Sequence, residues 1–173
     1  MRIGGNSIIQ VASGARQQSS AFASSDILAA LGAGQVYGGT IAGTAAAANK
    51  AVCEINNPNG SNRALFIYEL EIFAPTGMAV QLVLNGTTLA PAGVPPNLCS
   101  GSGNVTVART GGGNQLATTG TVIKNLPTLA ANTVYTFPQP WILELFPNNN
   151  LQIIGQTVNQ ALTVNFTLID WTN

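Results

Sequence analysis

The sequence predicts an all-β protein: an antiparallel β-sandwich, jelly-roll-like, with an extended N-terminal arm. From residue 51 onward, apolar residues recur at every second position in short stretches, as they do in half-buried strands. Turn sequences rich in Gly, Pro and Asn separate these stretches. No helical stretch of ordinary length lies between them, which excludes a parallel α/β sheet and favours a sandwich of about eight strands.

Residues 1–50 differ in composition from the remainder and are predicted to form the arm. They are rich in Ala, Gly, Ser and Gln, and the stretch 41–48 is close to low complexity. A short helix is predicted over residues 25–32, because Ser25 or Asp26 can cap its start and Gly32 can end it. The sandwich domain is predicted to span residues 51–173.

The clearest strand prediction covers residues 63–73, where strict alternation would place Phe66, Tyr68 and Leu70 on one face. The next strand, 78–84, ends at Asn85-Gly86, which predicts a hairpin with residues 87–89 returning beside it. The segment 101–120, which includes three consecutive glycines, is predicted to be a long loop around a short strand at 105–109. Further strands are predicted at 105–109, 121–124, 133–137, 141–146, 151–156 and 161–171.

The charge content excludes most kinds of chemistry. The chain has six basic and six acidic residues, which make up 7% of the total, and it has no histidine. In a usual soluble domain, about a quarter of the residues are charged. Catalysis by a histidine-dependent triad is therefore excluded, and no Lys/Arg cluster is available to bind a phosphate backbone. No apolar run approaches the length of a membrane span. We predict no catalytic, cofactor-binding or metal-binding residues, no nucleic-acid partner and no membrane partner.

Glu69 and Glu71 are the one close pair of carboxylates, and alternation places them on the same face of a strand. Such a pair suits glycoside hydrolysis or part of a calcium site, but each of these needs further groups from other segments. The favoured interpretation is a strand end that faces solvent or an interface, with Arg63 or Arg109 as a partner.

The cysteines and tryptophans are also given structural roles. Cys53 and Cys99 are predicted to be free thiols of a reducing compartment rather than a disulfide. Trp141 and Trp171 are predicted to pack in a core or interface, with stacking against a glycan as the alternative.

The arm is predicted to gain its order from neighbouring subunits. Ordering each residue costs about 1–2 kcal/mol of backbone entropy, and a segment so poor in large apolar groups cannot offset that by folding on itself. An arm that follows its own sandwich is the alternative. The predicted assembly interface consists of the arm's apolar residues Ile8, Ile9, Val11, Phe22, Ile27, Leu28 and Leu31.

Two stretches resemble a known group of proteins. Residues 57–68, which begin Asn57-Pro58-Asn59-Gly60-Ser61, resemble the segment that leads into the first sheet of small β-sandwich virion proteins of tailed bacteriophages. The Pro- and Asn-rich turn at 147–150 and the alternating strand 162–167 are similar to the end of those proteins. The resemblance covers roughly residues 51–171.

The resemblance implies a virion component made in the host cytoplasm: a capsid decoration, head-fibre or tail-tip protein. Our expectation is a decoration or cement protein that binds the capsid shell and other copies of itself. One alternative is a glycan-binding module of a tail or fibre tip, acting through Trp141, Tyr135 or the segment 101–120. The other is the jelly-roll major coat protein of a small virus, although its genome-packaging arm would be basic and this arm is not.

Overall fold

The computed structural model describes residues 29–44, 46, 48–90, 93–138 and 142–171. These residues form two antiparallel sheets that pack as a sandwich, so the predicted fold class is confirmed. Residues 29–32 are helical and precede the first strand. The strands are β1 Val36–Gly43, β2 Lys50–Asn57, β3 Ala64–Ala74, β4 Met78–Leu84, β5 Arg109–Gln115, β6 Thr121–Leu129, β7 Thr133–Thr136, β8 Leu143–Leu145, β9 Asn149–Val158 and β10 Leu162–Trp171.

The strand order gives the sandwich its jelly-roll character. Sheet A has the order β1-β10-β3-β7, with β8 also pairing with β3, and sheet B has the order β5-β2-β9-β4-β6. The chain changes sheet at every step from β1 to β4, and again from β6 to β7, from β8 to β9 and from β9 to β10. With β5 set aside, and β7 and β8 counted as two parts of one edge strand, eight strands in two four-stranded sheets remain, as in a jelly roll.

The core lies between the sheets and is built from alternating residues. Met78, Val80 and Leu82 of β4 are buried in it, as the alternation predicts. The final strand contributes Leu162, Val164, Phe166 and Leu168, again as predicted. Burial of such side chains is the main stabilising term of the fold, at about 25 cal/mol per Å² of apolar surface.

Strand β1 lies inside the segment that the sequence assigns to the arm, so the sandwich begins ahead of residue 51. Tyr37 and Ile41 of β1 enter the core, and the strand pairs with β10 along its whole length. The sequence hides this strand because small residues replace large ones where other backbones approach. A Cβ on Gly43, for example, would lie 2.8 Å from the carbonyl oxygen of Val52.

A β-bulge changes the predicted faces of β3. The register with β10 shifts between Thr167 and Leu168, so Tyr68 is an extra residue on β3. Leu65 and Ile67 face the core before the bulge, and Leu70, Ile72 and Ala74 face it afterwards. The predicted strict alternation, which put Phe66 and Leu70 on one face, is therefore wrong.

The predicted hairpin at Asn85-Gly86 is also wrong. Asn85 has the left-handed φ of 56° that such a turn requires. Residues 87–90 form no strand beside β4, however, because β6 and β9 already occupy its two sides. The segment crosses instead to Glu54 of β2, whose carboxylate accepts the backbone N–H of Leu89 at 3.1 Å.

The glycine-rich segment contains strand β5 where the sequence predicts a loop, and the strand predicted at 105–109 begins only at Arg109. Gly112 of β5 lies against the backbone of β1, and a Cβ there would collide with the carbonyl oxygen of Ala42. The segment has few residues of high strand propensity, because the close approach of another backbone selects glycine there.

The segment between β4 and β5 covers two sheet edges. Backbone N–H groups of Leu98 and Gly38 donate to Val36 and Pro96 at 2.9 and 3.2 Å, along the outer edge of β1. Gly93 and Thr110 exchange two backbone hydrogen bonds along the outer edge of β5. The edge strand β6 has Lys124, Pro127 and two register irregularities instead, features that disfavour pairing with another chain.

Candidate functional site

Of the seven predicted interface residues, the structure describes one. Leu31 is 38% exposed and belongs to the helical segment 29–32. Its neighbour Ala30 is buried at 1% exposure against the outer face of sheet A. Ile8, Ile9, Val11, Phe22, Ile27 and Leu28 lie outside the described residues, and so does the predicted start of the helix.

The helical segment ends at residue 32, as predicted, but the left-handed glycine that terminates it is Gly34 rather than Gly32. Gly34 has φ +68°, its N–H donates to Leu31 at 3.0 Å, and the N–H of Gln35 donates to Ala30 at 2.9 Å. This pair of hydrogen bonds is the Schellman arrangement. Gly32, the predicted terminator, has an ordinary φ.

Two asparagines fasten this helix end to the β4–β5 segment, and the sequence analysis did not single them out. Asn97 donates from Nδ2 to the Gly34 carbonyl at 2.9 Å, and Asn104 donates from Nδ2 to the Ala33 carbonyl at 3.0 Å. The last carbonyls of the helix are thereby satisfied. The point at which the chain leaves the N-terminal segment is thus held firmly on sheet A.

An apolar patch occupies one part of the outer face of sheet A. It includes the buried residues Ala30, Val36, Phe66 and Ile169, and packed against these are the partly buried Ala64, Tyr68, Cys99, Ile142 and Trp171. Leu98 stands beside it at 51% exposure, with its Cδ1 3.0 Å from where a Cβ of Gly38 would lie. This second apolar layer lies outside the main core, and its partly buried members remain accessible at the surface.

A polar row crosses the same face next to the apolar patch. Thr40 donates to Asn165 at 2.7 Å, Asn165 donates to Glu71 at 3.4 Å, and Thr136 donates to Glu71 at 3.5 Å, which joins β1, β10, β3 and β7. Glu69 accepts from the Thr167 hydroxyl at 2.6 Å. The carboxylate pair faces solvent, as expected, but Arg63 and Arg109 are not its partners.

Those two arginines hold the β4–β5 segment instead. Arg63 Nη1 lies 3.4 Å from Asp170 Oδ2, the one ion pair between described residues. Arg109 donates to the backbone carbonyls of 106–108, at 3.4, 3.0 and 2.9 Å.

Residues 86–89 cover the part of the outer face of sheet B that β2, β9 and β4 form. Glu54 Oε2 accepts from Leu89 N–H, from Asn150 at 3.2 Å and from Gln152 at 2.7 Å. Asn150 also donates to the Gly86 carbonyl at 3.0 Å. Burial raises the pKa of the Glu54 carboxyl above its usual value, although the bonds from Gln152 and Leu89 oppose that rise. The cluster fastens the strap 86–89 to the sheet.

An open cleft of about 320 Å³ lies at the end of the sandwich beside this cluster. We call it the asparagine cleft; its lining residues are Asn56, Pro58, Asn59, Asn85, Gly86, Thr88, Asn148, Asn149 and Asn150. The side chains that line it carry no charge, so it suits a neutral, hydroxyl-rich ligand better than an ion.

The Asn-Pro-Asn-Gly-Ser motif that carries the resemblance forms a turn at the rim of this cleft. Asn57 is fully buried, accepts from Ser61 at 2.7 Å and donates to the carbonyls of Arg63 and Leu145, each at 2.8 Å. Gly60 has φ +76°, which suits glycine at this turn. The motif therefore has a local structural role in joining β2 to β3.

The structure describes only some of the residues of the glycan-binding alternative. Trp141 lies outside the described residues, and the Tyr135 ring packs edge-to-face on Phe137 at 5.2 Å between centroids. Part of the segment 101–120 is strand β5. Trp171 packs in the apolar patch, in agreement with the structural role predicted for it.

The remaining reactive groups have structural partners. Cys53 and Cys99 are free, as predicted, and burial raises the pKa of Cys53 to about 12. Lys50 donates to Gln156 at 2.7 Å, and Lys124 stands 5.3 Å from the Phe137 ring centre. The described part of the chain has no group of three Cys, Asp or Glu residues placed to hold a metal ion. Within that part, no helix is long and apolar enough to cross a bilayer.

Comparison with known proteins gives no match: no family model, no curated protein and no solved structure matches this chain. The similarity to virion proteins of tailed bacteriophages therefore stays a prediction from the sequence.

Proposed function

We propose that this protein is a structural component of a virion, a capsid decoration or cement protein that binds the shell and neighbouring copies through its N-terminal segment. The virion is its place of action, after synthesis in the host cytoplasm. The mechanism is thermodynamic: each copy buries apolar surface across a junction at about 25 cal/mol per Å², less the cost of ordering. Repeated contacts around the shell then raise the overall binding strength through multivalency.

The observation that carries the proposal is the position of Ala30. It is packed at 1% exposure in the apolar patch, and the chain on its N-terminal side holds the apolar residues predicted to bind. Asn97 and Asn104 fasten this point to the sandwich. A segment that starts from a firmly held point beside an apolar surface can join copies without disturbing either sandwich.

Fold and composition add support of a weaker kind. Jelly rolls recur in viral capsid proteins and also in lectins, so the fold is compatible with the proposal without requiring it. A chain with 7% charged residues and no net charge has little to keep copies apart in solution.

The test is incorporation into particles. The segment to delete is residues 1–28 rather than 1–50, because β1 is part of sheet A. Particles from the virus that encodes the chain are purified, and the amount of this protein in them is measured by mass spectrometry. We expect the deletion to abolish incorporation, and Leu116→Ser, which removes a side chain 73% exposed beyond β5, to leave it unchanged. Normal incorporation of the deleted chain would overturn the proposal.

A second candidate, glycan recognition, is favoured by the asparagine cleft. Carboxamides both donate and accept, as sugar hydroxyls require. A glycan array probed with the full chain tests this function. Binding that is lost in Asn59→Ala and Asn148→Ala but kept in Asn125→Ala, on β6 away from the cleft, would support it. Binding to no glycan would dismiss it.

A further inference from the structure

We infer that the outer face of sheet A is the surface that receives residues 1–28 of a neighbouring copy. The inference rests on the proposed function and adds the receiving surface, which that function leaves open. It commits to one occupant, the N-terminal segment of a second copy of this chain. Three features of the described residues lead to it: an incomplete apolar layer, an acidic pair without a cation, and coverage of part of sheet B and of two sheet edges by the chain itself.

The apolar patch supplies the first feature. Tyr68, Ile142 and Trp171 are only partly buried on it, and Leu98 adjoins it at 51% exposure. The segment 1–28 contains seven large apolar residues besides its initial methionine: Ile3, Ile8, Ile9, Val11, Phe22, Ile27 and Leu28. Their number and spread suit an extended segment laid across a face of four strands.

Charge supplies the second feature. Glu69 follows Tyr68 directly on β3, so the carboxylate pair begins where the apolar patch ends. Among the described residues, no Lys or Arg forms an ion pair with Glu69 or Glu71. The segment 1–28 carries Arg2 and Arg16 against one acid, Asp26. Exposed ion pairs add little affinity, but they fix register and direction.

The third feature is the condition of the other surfaces. The strap 86–89 covers the part of the outer face of sheet B where Leu89 packs on the buried Val52, Val83 and Ile154. Hydrogen bonds from the β4–β5 segment cover the edges of β1 and β5. The outer face of sheet A combines apolar side chains with uncompensated acidic charge, whereas the exposed Val122 and Ile123 of β6 lie beside the basic Lys124.

Residues 1–28 are long enough to extend beyond their own sandwich. Fully extended, 28 residues span about 90 Å, and a face of four strands is about 15 Å wide. The segment 1–28 leads directly into the helical residues 29–32, which include Ala30 on the edge of the same face. Two copies placed with these faces toward each other can therefore exchange segments reciprocally, as in a two-fold assembly.

Photo-cross-linking of the full chain tests the inference. Phe22 is replaced by the photoreactive p-benzoylphenylalanine, and chains labelled with light and heavy nitrogen are mixed, assembled at high concentration and irradiated. Mass spectrometry then identifies the cross-linked peptides, and a mixed-isotope pair shows that the link joins two copies. We expect mixed-isotope links to peptides that contain Tyr68, Cys99 or Trp171.

Each of the other outcomes contradicts one part of the inference or of the proposed function. Mixed-isotope links confined to sheet B overturn the receiving surface and leave the proposed function standing. Links within single chains only show that the segment follows its own sandwich, and they overturn the exchange and the role of the segment together. The same cross-linking can be done in purified particles. Links from the segment to shell protein alone would there keep the decoration function and overturn the second copy as occupant.

A charge test separates specific docking from unspecific association. Glu69→Gln combined with Glu71→Gln should lower the yield of mixed-isotope links about two- to fivefold at low salt, the range expected for exposed ion pairs. Thr128→Lys, on the exposed part of β6, also raises the net charge and should leave the yield unchanged. Equal yields for all three proteins, or an equal fall in both variants, would contradict the role of the acidic pair.

Discussion

The carboxylate of Asp170 accepts the backbone N–H of Val107 at 2.8 Å, so the last strand of the fold holds the segment between β4 and β5. Arg63 lies 3.4 Å from the same oxygen. Asp170 is 1% exposed and the Arg63 side chain is 34% exposed. The segment held in this way covers the edges of β1 and β5 and carries Asn97, which fastens the helix end.

This relationship predicts a graded effect of substitutions at Asp170. Asp170→Ala removes the acceptor and leaves the Val107 N–H without a partner, which costs about 1–3 kcal/mol of unfolding free energy. Asp170→Asn keeps an oxygen in place and should cost less. Denaturation by urea, with both variants measured beside the wild type, checks the order. Equal losses would show that charge rather than the hydrogen bond to Val107 decides.

Glu54 predicts a dependence of stability on pH. Because its pKa is raised in the folded protein, its contribution is most favourable below the unfolded pKa and is lost as pH rises through the folded pKa. Glu54→Gln keeps an acceptor and removes this dependence. The variant should therefore gain stability relative to wild type between pH 4 and pH 7, measured as the difference in unfolding free energy. A difference that falls with pH would mean that the hydrogen bonds outweigh burial.

Gly112 should tolerate no side chain. Its Cβ would collide with the Ala42 carbonyl, so Gly112→Ala forces β1 and β5 apart at a cost of about 2–3 kcal/mol. Gly103 is the matched control, since nothing lies within 4 Å of a Cβ there. Thermal unfolding of both variants is the measurement. If the two variants unfold alike, β5 does not lie against β1 as described.

The two thiols should differ in reactivity. Cys53 is buried, with its pKa raised to about 12, whereas Cys99 is partly exposed on the apolar patch. At pH 8 we expect iodoacetamide to alkylate Cys99 in the folded protein and Cys53 only after unfolding. Mass spectrometry of the modified protein checks this, and Cys99→Ser serves as the control with no reactive thiol. Rapid loss of both thiols before unfolding would contradict the placement of Cys53.

Much of the sandwich could be predicted because β4 and β10 carry large apolar residues at every second position, a pattern that depends only on neighbours in sequence. The strands β1 and β5 escaped prediction because Gly43 and Gly112 are selected by backbones distant in sequence. The bulge at Tyr68 escaped for a related reason, since only the register with β10 shows it.

The candidate surfaces were less accessible to prediction than the strands. The Ser-Asp and Gly signals indicated a helix that ends at residue 32, but they assigned its termination to Gly32 instead of Gly34. The parts played by Asn97 and Glu54 depend on contacts with residues 34 and 89, far along the chain. No local pattern distinguishes these two side chains from the many other polar residues.

Sedimentation velocity of the full chain, compared with the chain lacking residues 1–28, tests most directly whether the N-terminal segment joins copies. Equal unfolding midpoints establish first that both sandwiches are intact. We expect the full chain to sediment as dimers or larger oligomers whose share rises with concentration, and the shortened chain to stay monomeric. A full chain that remains monomeric at every concentration, or a shortened chain that associates equally well, would contradict the claim that the N-terminal segment joins copies.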